Sequence, residues 1–74
     1  MTLQQLGKEL NKMYVESKDG ESVVMIHIFG IKYASEIKES GESMKAIAKA
    51  AGIHESYATE ISKGVKLAKF VIVK

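Results

Sequence analysis

Residues 44–63 read MKAIAKAAGIHESYATEISK, and this stretch decides the fold. Ile47, Ala51, Ile53, Ala58 and Ile61 fall where two short helices crossing at about 100° must bury their contacts. Ala48 is small where the second helix passes close to the first, and Gly52 lets the backbone through a tight turn without a Cβ clash. Ser43 is a suitable cap for the first helix, which the pattern predicts from Met44 to about Ala51. The second is predicted from roughly Glu55 to Lys63. It should stop at Gly64, a residue suited to the left-handed conformation past a helix end.

Upstream, Leu3, Leu6, Leu10, Met13 and Tyr14 recur at helical spacing and predict a helix from Thr2 to about Ser17, with Thr2 able to cap it. Lys18-Asp19-Gly20 then reads as a stop and turn. The next segment is ambiguous. SVVMIHIF (22–29) is β-branched enough for a buried strand, whereas IKYASEIKES (31–40) reads as helix. One helix over the whole segment puts Val23, Ile26, Gly30, Tyr33, Ala34 and Ile37 on one face and Lys32, Ser35, Glu36 and Glu39 opposite. It leaves Met25, Ile28 and Phe29 as an apolar patch. That patch is a candidate dimer surface, unless the carboxy-terminal tail or the first helix covers it. Gly41-Glu42-Ser43 ends this helix. At the carboxy terminus VKLAKFVIVK (65–74) loses the helical period, and Phe70 to Val73 reads as a short strand. Its partner would be residues 23–29 or the same strand of a second subunit, which adds Phe70 and Ile72 to the candidate dimer interface. The expected fold is therefore mainly α, with four helices and a short C-terminal β-strand.

With 74 residues the chain has room for one domain, and 46 % apolar content suits a folded core. The absence of cysteine excludes disulfide and cysteine-zinc scaffolds and is compatible with the cytoplasm. The amino terminus lacks the pattern of a secretory signal, and the longest nearly apolar run, Val23 to Ile31, is about half of the ~20 residues needed to span a bilayer. Charge is uneven. Residues 1–42 carry five Lys against seven acids, whereas residues 43–74 carry six Lys against Glu55 and Glu60. All 11 basic residues are Lys, so the planar two-pronged contact of Arg with guanine or phosphate is unavailable.

Residues 44–63 resemble the helix-turn-helix of small bacterial and phage DNA-binding regulators. More loosely, IHIFGIKYASEI (26–37) together with KAAGIHESYATEISKGVKLAKF (49–70) resembles small bacterial helix-turn-helix-like domains, a resemblance that supplies no ligand or operator. The helix-turn-helix resemblance of residues 44–63 implies double-stranded DNA as partner, with the first turn of the second helix meeting the major groove. The exposed face would then be His54, Glu55, Ser56, Tyr57, Thr59, Glu60 and Lys63. Ser56 and Thr59 suit base edges or phosphates, Tyr57 a phosphate or thymine methyl, and Glu55 or Glu60 cytosine N4. Glu55 equally suits the helix dipole, and Glu60 a solvated charge. Lys45, Lys49, Lys63, Lys66 and Lys69 cluster in or after the motif as candidate phosphate anchors.

Two histidines, one aspartate and no glycine-rich phosphate loop assemble no catalytic site, so no enzyme, metal, cofactor or small-molecule ligand is expected. His27 reads as a satisfied core or interface histidine and His54 as a turn residue. The first helix mixes Glu9 and Glu16 with Lys8 and Lys12, unlike a membrane-surface helix. The sequence therefore points to a cytoplasmic, dimeric DNA-binding transcriptional regulator. The alternative is a protein-interaction module built on a helix-turn-helix scaffold without DNA contact.

Overall fold

A computed structural model describes residues 1–73. Helix α1 spans Leu3–Val15 and begins with a reciprocal cap: Thr2 Oγ1 accepts from the Gln5 backbone N–H at 3.1 Å, and Gln5 Oε1 accepts from the Thr2 N–H at 2.8 Å. It buries Leu6, Gly7 and Leu10, and a turn through Gly20 (φ 81°) reverses the chain. Helix α2 spans Ser22–Lys32 and α3 spans Ala34–Ser40, with Gly41 (φ 70°) ending α3 in the left-handed conformation. Ser43 Oγ caps α4, Met44–Ala50, by accepting from the Ala46 N–H at 3.0 Å. A 3₁₀ turn over Glu55–Tyr57 leads directly into α5, Ala58–Leu67.

The core gathers Leu6, Leu10, Ile26, Phe29, Ile37, Ile47, Ala48, Ala51 and Ile61 from all five helices. Each of its large side chains contributes about 1.5–3 kcal/mol relative to exposure, as an upper figure.

The architecture differs from the four helices and strand expected. There are five α-helices and no strand among the described residues. The predicted single helix over residues 23–40 breaks at Tyr33, whose φ of −108° and ψ of 20° leave the helical region. The Tyr33 ring lies 5.3 Å from that of Phe29, its i, i+4 neighbour, and its hydroxyl donates to Glu9 at 3.5 Å. The carboxy terminus does not form the expected strand: the chain makes a last turn, with Phe70 and Val71 N–H groups donating to the Leu67 carbonyl, and residues 71–73 are irregular. No neighbouring strand is present among the described residues to pair with them, and an unpaired strand has no ladder to hold it.

Gly64 does not end α5. The helix runs through it to Leu67, because Gly64 and Gly30 are where α5 and α2 meet backbone to backbone. A Cβ on Gly30 would lie 2.6 Å from the Ile61 carbonyl oxygen and 2.9 Å from Gly64 Cα. Phe29, expected on an exposed patch, is fully buried, and Val23, expected in the core, is 39 % exposed. The cause is position. Helix α2 packs against both α1 and α5, so it buries two flanks rather than one stripe.

Candidate nucleic-acid interface

The turn between α4 and the second helix is built from backbone. The Gly52 N–H donates to the Lys49 carbonyl at 3.0 Å and the Ile53 N–H to the Ala48 carbonyl at 3.1 Å, with Gly52 at φ 75°. This pair of bonds closes a helix end through a left-handed residue. Ala48 is fully buried, as its place at the crossing of α4 and the second helix requires. Two residues of α1 hold the end of α4 in place. Gly7 packs so closely on Ala50 that an added Cβ would come within 2.7 Å of the Ala50 Cβ, and Asn11 Nδ2 donates to the Ala51 carbonyl at 2.9 Å. Asn11 lies on the exposed side of α1. Its polarity is used to satisfy a carbonyl that the helix end leaves open.

His54 caps the second helix. Its Nδ1 accepts from the Ser56 backbone N–H at 3.0 Å, so this ring supplies the acceptor that Ser or Thr ordinarily provides. His54, Ser56, Thr59 and Lys63 are exposed along the start of this helix. Tyr57 is half-buried, packed on the core with its ring 5.9 Å from that of Tyr14, and so is turned to packing rather than outward. The neighbouring Tyr57 hydroxyl, foremost, raises the Tyr14 hydroxyl above its ordinary pKa.

Both glutamates of the motif are engaged. Glu55 lies 3.4 Å from Lys49 Nζ and 3.7 Å from Lys45 Nζ, and these ammonium groups, Lys49 foremost, hold its carboxyl below the ordinary glutamate range. Glu60 lies 2.8 Å from His27 Nε2 and 3.2 Å from Lys63 Nζ. The hydrogen bond from His27, then that from Lys63, holds Glu60 below its ordinary range too. His27 thus reaches from α2 to the second helix of the motif across 33 positions of sequence, a partnership that local pattern does not reveal. Ion pairs this close to solvent add little to stability. Their larger effect is on the field: Lys45, Lys49 and Lys63 are paired with acids, while Lys66 and Lys69 are exposed without an ion-pair partner among the described residues.

A family model described as an HTH-like domain matches residues 2–74. The chain belongs to the HTH-like domain family. No curated protein and no solved structure matches it significantly.

For this HTH-like domain, the residues expected at a dimer interface divide. Phe29 is removed by burial, Met25 and Ile28 are half-buried, and Phe70 and Ile72 are 80 % and 83 % exposed. Leu67 and Phe70 also join His27, Lys63 and Lys66 around an open groove of about 330 Å³. No helix among the described residues is long and apolar enough to cross a membrane.

Proposed function

We propose that this HTH-like domain is a binding protein rather than an enzyme: a dimeric, DNA-binding transcriptional regulator of the cytoplasm. The observation that carries the reading is the row His54, Ser56 and Thr59, exposed at the start of the second helix with Lys45 and Lys49 gathered beside it at Glu55. Presented to a major groove, this row has hydrogen-bonding groups for base edges, and the lysines, with Lys63, Lys66 and Lys69, neutralise flanking phosphates. Glu55 and Glu60 act as tethers for those lysines rather than as readers of cytosine. A second copy covers Phe70, Ile72 and the half-exposed Met25 and Ile28. That places two reading helices on one duplex.

The test is binding to a random-sequence duplex at low and moderate salt, comparing wild type with the Lys45→Ala, Lys49→Ala, Lys63→Ala triple variant. Loss of three phosphate contacts lowers the log–log salt slope by about 2.7. No binding by the wild type even at low salt would refute the reading. A protein partner is the second reading, and the apolar groove beside Phe70 favours it. Salt-insensitive capture of a protein ligand would support that instead.

A further inference from the structure

Three hydrogen bonds at the start of the second helix fix which atoms its side chains have left to offer. His54 Nδ1 lies 3.0 Å from the Ser56 backbone nitrogen. A backbone amide only donates, so Nδ1 accepts and carries no proton. The neutral ring therefore holds its proton on Nε2, which has no partner among the described residues. Ser56 Oγ lies 2.8 Å from the same Nδ1 and must be the donor there, because Nδ1 has no proton to give. Thr59 Oγ1 donates to the Ser56 carbonyl at 3.1 Å. Each hydroxyl has one proton, and both are spent inside the protein.

Resting on the DNA-binding reading, we infer that the reading face is a fixed donor–acceptor–acceptor array: His54 presents Nε2–H to a purine N7, while Ser56 and Thr59 present only lone pairs to the amino groups of adenine N6 or cytosine N4. Phosphate oxygens only accept, so Ser56 and Thr59 are matched to base edges and mismatched to the backbone. Thymine O4 and guanine O6, which are also acceptors, are disfavoured beneath them. The array therefore selects bases, and it does so without arginine. The lysines supply the sequence-independent part.

Two measurements test this. Long-range ¹H–¹⁵N correlation on the free protein reports the His54 tautomer, and a proton found on Nδ1 overturns the inference whatever the DNA result. Selection from a random duplex pool then compares wild type with His54→Asn, which keeps a capping acceptor at the position of Nδ1 and has no atom at that of Nε2, and with Thr59→Val, which keeps the shape without the hydroxyl. Both variants should melt like the wild type, bind the selected duplex about tenfold more weakly and lose preference at one base pair each, within the discrimination of a good base contact. For His54 the lost position should be a guanine or adenine whose replacement by its 7-deaza analogue weakens wild-type binding. Weakening by a neutral methylphosphonate linkage and not by the 7-deaza base would put His54 on the backbone and overturn the assignment. So would unchanged affinity and selection in both variants. If the wild type binds no duplex at all, the functional reading itself fails; if it binds but Thr59→Val selects the same sequences, only the array fails.

Discussion

Gly30→Ala isolates the contact that sets the angle of the second helix. In an ordinary helix this substitution stabilises by about 1 kcal/mol, because alanine has less backbone freedom to lose. Here the new Cβ meets the Ile61 carbonyl oxygen at 2.6 Å and the Val65 nitrogen at 2.9 Å, against the 3.4 Å at which ordinary contact begins. These are backbone atoms, which cannot rotate aside. Relief requires α5 to retreat by most of an ångström, loosening Ile61 against Ile26 and Phe29 in the core. Overpacking costs about 1–3 kcal/mol, and a backbone obstacle puts this case at the top of that range or beyond. After subtracting the propensity gain, the net loss is about 2 kcal/mol. For a domain of this size that lowers Tm by about 8–16 °C. Thermal unfolding followed by far-ultraviolet circular dichroism measures it. An unchanged or raised Tm would show that α2 and α5 do not touch through Gly30, and the described placement of the second helix would be wrong.

Glu55→Gln frees Lys45 and Lys49 from their shared carboxylate, so affinity for a random duplex at low salt should rise and its salt dependence steepen; weaker binding would mean that Glu55 itself contacts DNA. The Glu60 carboxyl is held below its ordinary range, so its ionised form stabilises the fold above the unfolded-state pKa, and that contribution fades as pH falls through the lower folded-state value. Wild type should therefore lose more Tm on acidification into that range than Glu60→Gln, and parallel curves would remove Glu60 from the account of stability. The double variant Phe70→Ser, Ile72→Ser should sediment as a monomer at concentrations where wild type is a dimer, with little change in the monomer's own stability, since both side chains are exposed. A wild type that stays monomeric at high concentration would end the dimer proposal.

The motif was legible because its constraints are local. Ile47, Ala48, Ala51 and Ile61 are buried, and the turn at Gly52 needs the positive φ that glycine takes without strain. The break at Tyr33 was not legible, since Ile26, Gly30, Ala34 and Ile37 keep helical spacing across it and all four are buried. Phase survives one residue that leaves the helical region. Gly64 has the residue type of a helix stop, and only its approach to Gly30, 34 positions away, shows why glycine stands there. Phe29 is buried because α2 packs on two neighbours, where helical spacing by itself marks out one buried stripe. At the site, exposure of His54, Ser56 and Thr59 followed from the motif's geometry. The engagement of Glu55, Glu60 and His27 did not, because each depends on side chains brought together by tertiary structure.

The glycine crossing divides the molecule into a part that is free to vary and a part that is not. Where helices meet through side chains, their spacing can follow the side chains as these change; where they meet through bare backbone, any added atom must push the helices apart. His54, Ser56 and Thr59 are exposed and take no share in the core. If the domain reads DNA as proposed, new specificities would be accessible by exchanging surface residues one at a time, while the platform carrying them keeps its pose. A library randomised at 56 and 59, with Gly30 and Gly64 held constant, is the natural place to look for them.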